Sequence, residues 1–224
     1  AHPAIPDPLW SRGLGDVYKR QMQRDNSNPN KFEEIVHDGV IAYPTDTVYG
    51  LGAHYMSEKA VKRICQVKGR PSGKGFPLLL SCVDDVDTVV TEKSEQMLIF
   101  AKAFWPGALT LVLNARPEIP EEITGSSKTV AVRVPDHPIP RGLVEKLGAP
   151  IVGTSANLSG GPDPVTAIDV KSVLGDKIDC ILDGGPTAQA APSTVLDLTG
   201  STPKVLRIGA IGVTALQSAI GYSF

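Results

Sequence analysis

A glycine-rich basic turn separates a helix-like segment from a continuous apolar run, and this boundary constrains the fold more than any other feature. Before the turn, residues 57–67 carry apolar side chains at helical spacing, with Ser57 as the predicted N-cap. After it, residues 76–81 are almost all apolar, which is typical of a strand inside a sheet. A helix leading into an interior strand predicts an α/β protein.

The turn itself, KGRPSGKG at residues 68–75, concentrates positive charge in a chain whose net charge is −2. Lys68 follows Val61 by seven residues, so a helix continued that far would place its amine on the apolar face. The glycines let the backbone approach a ligand, and Arg70 offers a planar fork that suits phosphate or carboxylate. We interpret the turn as an anion site, with a basic surface loop as the alternative. Between residues 59 and 74 there is no carboxylate and the cations are Lys59, Lys62, Arg63, Lys68, Arg70 and Lys74.

Length and composition favour one soluble domain. Apolar segments are spread evenly after about residue 30, and the 42% hydrophobic content suffices for a sizeable core. The net charge argues against a protein that coats nucleic acid through its overall field, although it leaves a local basic groove open. The three cysteines form no CxxC pair and are interpreted as thiols of a cytoplasmic protein. No apolar run approaches the roughly 20 residues needed to span a bilayer.

The first 21 residues differ from the remainder of the chain. They contain three prolines, show no helical or strand period, and lack the apolar region of a signal peptide. We therefore predict a non-native or disordered extension over residues 1–21, with Met22 as the natural start. The single catalytic domain is expected over residues 22–224.

Polar side chains follow two of the predicted strands. The strand at residues 40–43 runs into Thr45, Asp46 and Thr47, which either satisfy the turn backbone or contact a ligand at the strand end. The strand before residues 153–161 ends in GTSANLSGG, a loop whose hydroxyl and amide groups can hold phosphate or sugar oxygens. This loop is neither a Walker A loop nor a nucleophile elbow.

An arginine lies within a strongly apolar strand at residues 129–134. Alternation places three valines on one face and Arg133, beside Thr129 and Ala131, on the other. Since burying an unpaired charge is costly, Arg133 needs an anionic partner or an open cleft. An edge-strand arginine in solvent is the alternative. The last predicted strand, at residues 204–208, carries a second arginine, Arg207.

Seven stretches in order resemble the YrdC-like family of L-threonylcarbamoyladenylate synthases, over about residues 30 to 210. They are AYPTDTVYGLGA, KGRP, FWPGALTLVL, TVAVRVPDHP, GTSANLSG, STVLDL and VLRIG. The resemblance implies an α/β fold with a twisted, mixed parallel and antiparallel sheet, flanked by helices around a basic cavity. It also indicates the short, single-domain form of the family.

The resemblance implies a nucleotidyltransferase that makes threonylcarbamoyl-AMP and pyrophosphate from L-threonine, bicarbonate and ATP. A downstream threonylcarbamoyl transferase complex would then modify the adenosine next to the tRNA anticodon. Direct contact with tRNA or double-stranded RNA is left open. Magnesium is expected with ATP, bound mainly through phosphate oxygens, so no protein residue is assigned to a metal.

The resemblance also assigns residues. The signature Lys-x-Arg and Ser-x-Asn pairs give the predicted catalytic set Lys68, Arg70, Ser155 and Asn157. The predicted ATP contacts are Lys68, Arg70, Lys74, Thr129, Ser155, Asn157 and Arg207. The predicted threonine contacts are Thr47, Arg133, Gly153 and Ser193. Ser81 or its neighbours stand where many relatives have histidine, and Asp163 stands where a small polar residue is frequent. A carboxylate there either repels phosphate or helps to hold magnesium.

Two other functions compete with this one. A basic groove could bind structured RNA in a non-catalytic translation or ribosome-assembly factor, but the chain shows no aromatic stacking platform. A carbamoyl-adenylate domain from hydrogenase maturation is the third hypothesis. The chain lacks the zinc-finger cysteines and acylphosphatase segment that accompany that domain.

Overall fold

The computed structural model describes residues 37–70, 73–188 and 191–224. The predicted extension at residues 1–21 lies outside the described residues. The apolar spacing of residues 31–38 also predicts a helix, and most of that segment lies outside the described residues. Within the described ranges, no helix has the length and apolar character needed to cross a membrane.

Six α-helices and ten strands are assigned in the part of the chain that the structure describes. The helices are α1 (Glu58–Lys68), α2 (Glu95–Phe104), α3 (Glu121–Thr124), α4 (Pro138–Leu147), α5 (Ala167–Val173) and α6 (Val213–Ile220). Short 3-10 helices cover Val83–Thr88, Gly125–Ser127 and Gly175–Lys177. The strands are β1 (Ile41–Tyr43), β2 (Gly50–Gly52), β3 (Leu78–Leu79), β4 (Leu109–Asn114), β5 (Thr129–Arg133), β6 (Ile151–Val152), β7 (Thr154–Ser155), β8 (Cys180–Ile181), β9 (Thr194–Asp197) and β10 (Lys204–Arg207).

The strands form two mixed sheets. One has the order β7-β2-β1-β8 and the other has the order β10-β9-β4-β5-β3-β6. The pairs β1–β8, β3–β5 and β4–β9 are parallel, and the remaining pairs are antiparallel. The predicted mixed parallel and antiparallel α/β architecture with flanking helices is confirmed.

The helix before the basic turn begins and ends as its sequence predicts. The Ser57 side chain accepts a hydrogen bond from the Ala60 amide, which satisfies one of the free donors at the helix start. At the other end, Gly69 adopts a left-handed conformation with φ 59°, which glycine reaches without a steric penalty. Helix α1 buries Val61 and Ile64, and it buries Lys68 on the same face.

Other predicted elements are shorter or divided. The strand predicted over residues 76–81 is reduced to β3. The strand predicted to lead into GTSANLSGG, at residues 150–154, divides at Gly153 into β6 and β7. Strand β2 was not predicted, because its two glycines are poor strand formers. They are needed because the Tyr43 ring packs against them: a Cβ added to Gly50 would lie 2.7 Å from Cε2 of that ring.

The six-stranded sheet has one apolar face and one polar face. Along β4 and β5, alternate residues pack into the main core, including Leu111 and Val132, which are fully buried. The residues between them, including Thr110 and Arg133, face the second sheet and line a cavity. The period-2 alternation of these two strands therefore separates the hydrophobic core from the site.

Candidate functional site

A cavity of about 380 Å³ lies between the two sheets. Strands β2 and β7 of the four-stranded sheet line one side, and strands of the six-stranded sheet line the other. Its polar side chains combine three arginines, several hydroxyls and one carboxylate: Thr45, Thr47, Arg70, Thr110, Arg133, Thr154, Ser155, Asp163, Ser193 and Arg207. Segments distant in the chain thus contribute cations and hydroxyl groups to one space.

Arg133 is 6% exposed and is held by three contacts. Its Nε donates to the Gly107 carbonyl at 2.9 Å, and its Nη1 donates to Thr47 Oγ1 at 3.1 Å. Its Nη2 forms an ion pair with Asp46. The solvent-exposed alternative is therefore wrong, because this arginine is buried and has an anionic partner. One N–H on each terminal nitrogen remains for a ligand.

The hydroxyl of Thr47 is oriented by its neighbours. Thr45 Oγ1 donates to the Val48 carbonyl at 2.7 Å, so its proton is committed. The 2.9 Å contact between the two threonine hydroxyls must then be donated by Thr47. Thr47 donates to Thr45 and accepts from Arg133, which places its oxygen in a fixed position beside the guanidinium.

Arg70 is half-buried and incompletely paired. Its Nη2 donates to the Gly75 carbonyl at 2.7 Å, and its guanidinium carbon lies 4.6 Å from the centre of the Phe76 ring. Its Nε is buried and has no hydrogen-bond partner. Burial lowers the pKa of Arg70. An unsatisfied buried donor is costly, and this one belongs to a cation that lines the cavity.

Arg207 is fixed against Ser193. Its Nε and Nη2 donate to the Ser193 carbonyl at 3.1 and 2.9 Å, and Nη2 also reaches Ser193 Oγ at 3.2 Å. That hydroxyl is 2.8 Å from Thr110 Oγ1. Arg207 is exposed as a whole residue, but partial desolvation of its guanidinium beside Ser193 lowers its pKa. Since Nε and Nη2 carry these bonds, Nη1 is the nitrogen that Arg207 offers to a ligand.

Lys68 points away from the ligand space. It is 4% exposed and does not line the cavity. Its Nζ donates to the carbonyl of Ser155, to the carbonyl of Asn157 at 2.8 Å and to Asn157 Oδ1 at 3.0 Å. Burial, and secondarily the charge of Arg70, lowers the pKa of Lys68 to about 8. An ammonium has three donors, and all three are used within the protein.

The carboxamide of Asn157 connects three side chains. Its Oδ1 accepts from Lys68 and from Ser155 Oγ, the latter at 2.7 Å. Its Nδ2 donates to the Gly161 carbonyl at 2.6 Å and to Asp163 Oδ1 at 3.2 Å. Because a lysine can only donate, the network determines which end of the amide is the oxygen.

The structure brings most of the predicted site residues together. Seven of them line the cavity: Thr47, Arg70, Arg133, Gly153, Ser155, Ser193 and Arg207. Lys68 and Asn157 lie behind the lining. Lys74 is exposed. The Thr129 hydroxyl lies 2.8 Å from the Ser127 hydroxyl, and Thr129 is not part of the cavity lining. Their assigned roles remain predictions.

Asp46 and Thr110 are among the residues of the site that the sequence did not assign to a ligand. Asp46 pairs with Arg133, and Thr110 bonds Ser193. The sequence LTLVLN of β4 could have identified Thr110, because its three leucines alternate and so place this hydroxyl on the opposite face of the strand.

Ser81 bonds Asp85 through its amide at 2.8 Å and its hydroxyl at 2.6 Å. Among the described residues, no three histidines, cysteines or carboxylates form a metal cluster.

A cavity lined by cations and hydroxyls between two mixed sheets defines an α/β protein with a site whose charge suits anionic small molecules. A family model described as Telomere recombination, for Sua5, YciO and YrdC proteins, matches residues 33–209. The chain belongs to the Sua5/YciO/YrdC family.

Two of the curated proteins that this chain resembles carry the same enzyme name. A protein of Pyrococcus abyssi named threonylcarbamoyl-AMP synthase is 43% identical over 182 residues, which are 81% of this chain and 54% of that protein. A Bacillus subtilis protein of the same name is 40% identical over 183 residues, 81% of this chain and 53% of that protein. The crystal structure of P. abyssi Sua5 complexed with L-threonine matches with a TM-score of 0.80 and 42% identity, covering 83% of this chain and 54% of that one. The chain thus spans about half the length of these relatives.

Proposed function

We propose that this chain carries L-threonylcarbamoyladenylate synthase activity, forming threonylcarbamoyl-AMP and pyrophosphate from L-threonine, bicarbonate and ATP. The convergence of Arg70, Arg133 and Arg207 in one cavity carries the proposal. The relatives named threonylcarbamoyl-AMP synthase and the P. abyssi complex with L-threonine support it.

The reaction needs such a cavity for electrostatic reasons. The threonine amine adds to bicarbonate, with loss of water, to give an N-carboxylate. A carboxylate oxygen then bonds to the α-phosphorus of ATP while the bond to pyrophosphate breaks. The N-carboxylate and ATP are both anionic, so fixed cations must hold them together and stabilise the charge on the phosphate oxygens. The reaction uses no side-chain nucleophile, and binding geometry supplies much of the rate.

Arg133 organises the proposed threonine end. Asp46, Thr47 and the Gly107 carbonyl hold its guanidinium before any ligand arrives. Its two remaining N–H groups can bind the threonine carboxylate, and each charged hydrogen bond is worth about 1.5–3 kcal/mol. Ser193 and the backbone at Gly153 line the same cavity and would contact the rest of the amino acid.

Arg70, Arg207 and Ser155 define the proposed phosphate end. Nε of Arg70 lacks a partner, and Nη1 of Arg207 is its available nitrogen. Lys68 and Asn157 would act from behind, by holding the Ser155 segment in position. Magnesium bound with ATP would neutralise charge on the phosphate oxygens. The oxygens of Asp163 and Ser155 are donors of the type that this metal prefers.

The product is a reactive mixed anhydride, so it must pass to an acceptor. We assign that step to a downstream threonylcarbamoyl transferase complex that modifies the adenosine next to the tRNA anticodon. A non-catalytic RNA-binding factor is not favoured, because the three arginines line a cavity of about 380 Å³ rather than an extended surface.

A labelled-bicarbonate assay with each of the twenty amino acids tests the proposal. We expect pyrophosphate release only when threonine, bicarbonate and ATP are all present. Arg70→Ala should lower the rate by about 100-fold or more, as loss of one transition-state donor does. Lys59→Ala, an exposed change on helix α1, which ends just before Arg70, should retain the rate. Pyrophosphate release that needs neither threonine nor bicarbonate would refute the proposed reaction.

A further inference from the structure

Asp163 is the one carboxylate among the described residues that line the cavity. It shares the lining with Arg70, Arg207 and Ser155. A negative charge at this position opposes the binding of a free triphosphate, so its presence in an anion site needs an explanation. The network around Asp163 provides one.

The charge of Asp163 is not neutralised by a direct ion pair in the part of the chain that the structure describes. Its hydrogen bond from the neutral amide of Asn157 is long, at 3.2 Å. Lys68 and Arg207 are close enough for its charge to raise the pKa of each, against the lowering caused by burial. However, the protons of Lys68 and those on Nε and Nη2 of Arg207 are already donated elsewhere.

Ser155 is also prepared to accept rather than to donate. Its hydroxyl proton is donated to Asn157 Oδ1 at 2.7 Å. A serine has a single proton, so its remaining capacity consists of oxygen lone pairs. While this bond is kept, the oxygen has no proton to donate to a phosphate, but it can coordinate a cation.

We propose that Asp163 and Ser155 form a magnesium-binding site at the phosphate end of the cavity, completed by nucleotide phosphate oxygens and water. This inference rests on the proposed function and adds protein ligands to a metal otherwise assigned to phosphate alone. Magnesium in nucleotide sites is held by one or two protein oxygens together with substrate phosphates. Asn157 connects the two ligands, because its Oδ1 bonds Ser155 and its Nδ2 bonds Asp163.

The site is incomplete without nucleotide. The described residues contain no cluster of three or more histidines, cysteines or carboxylates that could hold a metal. One carboxylate and one hydroxyl fill only part of the octahedral shell of magnesium, so in this proposal nucleotide phosphates complete the shell and Asp163 couples ATP binding to the metal. Without magnesium, the Asp163 carboxylate repels the ATP phosphates. With magnesium, the same carboxylate and the phosphates bind one metal ion.

Titration calorimetry with ATP, in excess chelator and in saturating magnesium, tests this coupling. Threonine and bicarbonate are left out so that no reaction occurs. In the wild-type protein we expect magnesium to tighten ATP binding by about 5- to 150-fold, the usual range for coupled ligands. Asp163→Asn keeps the shape and a hydrogen-bond acceptor for Asn157 but removes the charge. In this variant the ATP affinity measured in magnesium should be close to the ATP affinity measured in chelator. The affinity in chelator should be equal to that of the wild-type protein or higher. Asp176→Asn, an exposed carboxylate outside the cavity, should keep the wild-type ratio.

Each other result has a defined meaning. If Asp163→Asn tightens ATP binding equally in chelator and in magnesium, Asp163 only repels phosphate and the proposal of a magnesium site is wrong. An unchanged ratio in Asp163→Asn also overturns it, as does a wild-type protein that binds ATP equally well in both solutions. A wild-type protein that binds no ATP at all refutes the proposed function itself. Manganese provides a second readout: its paramagnetic resonance spectrum in the ternary complex with ATP should change in Asp163→Asn and in Ser155→Ala.

Discussion

The Lys68 ammonium contacts Asn157 twice, at the main-chain oxygen at 2.8 Å and at Oδ1 at 3.0 Å. Its third proton goes to the Ser155 carbonyl. A cation at the end of helix α1 therefore holds the segment that follows β7. Lys68 of the Lys-x-Arg pair therefore holds the Ser-x-Asn pair, Ser155 and Asn157, in position. Arg70, the other member of the Lys-x-Arg pair, lines the cavity itself.

Replacement of this lysine should weaken nucleotide binding without affecting threonine binding. Lys68→Met retains an apolar stem but removes the donor to the carbonyl oxygens of Ser155 and Asn157, and leaves Asn157 Oδ1 with Ser155 Oγ as its remaining side-chain donor. We expect magnesium-ATP affinity to fall by about 10- to 100-fold, as when the groups that orient ligands are removed. Threonine affinity should stay near wild type, because Arg133 and Thr47 do not contact Lys68. Calorimetry with each substrate checks this, with Lys59→Met as the exposed control on the same helix. Equal loss of both affinities would indicate general disruption of the fold instead.

The depressed pKa of Lys68 gives a pH dependence. Above a pKa of about 8 the amine is neutral and has two protons for three acceptors. ATP affinity should therefore fall as the pH rises through about 8, and Lys68→Met should lack this inflection. The unfolding free energy moves in the opposite direction. The pKa is lower in the folded than in the unfolded chain, so this group's contribution to stability increases above pH 8. A wild-type inflection that persists in Lys68→Met would assign the titration to another group.

Arg133 should be sensitive even to lysine. Arg133→Lys keeps the charge but cannot reproduce the contacts to Gly107, Thr47 and Asp46 while also binding a carboxylate. Loss of one charged hydrogen bond corresponds to about 10- to 100-fold in affinity. We expect that increase in the threonine KM, with little change in the KM for ATP. Arg116→Lys, a surface arginine bonded to the Asp87 carbonyl, serves as the control. Comparable KM values for threonine in Arg133→Lys and wild type would contradict the proposed role.

Gly209 should tolerate no side chain. A Cβ there would lie 2.1 Å from the Pro192 carbonyl oxygen and 2.6 Å from the Ser193 carbonyl carbon. Gly209→Ala must move the backbone that fixes Arg207, so it should cost about 1–3 kcal/mol of stability and also weaken ATP binding. At Gly200 the added Cβ would meet only the Thr202 oxygen at 3.8 Å, an ordinary contact. Thermal unfolding of the two alanine variants compares these sites, and equal midpoints would show that the backbone adapts.

Local features of the sequence were sufficient to predict the helices and part of the site. Ser57 is the helix cap that the sequence predicts, and Ser94 caps α2 in the same way. Each accepts a hydrogen bond from a backbone amide within the first turn of its helix. The valine alternation correctly placed Ala131 and Arg133 on the face opposite the core. Short strands such as β3 and β6 were less predictable, because their limits depend on pairing with distant segments.

The sequence by itself determined the α/β class, the principal helices and the residue types that surround the cavity, because capping and periodicity act over a few neighbouring positions. Only the tertiary structure decided what each polar group contacts. Lys68 and Asn157 are 89 positions apart, and Arg133 and Asp46 are 87 apart. Packing of the two sheets brings such pairs together, so it directs Lys68 into the protein and leaves Arg70, Arg133 and Arg207 at the cavity.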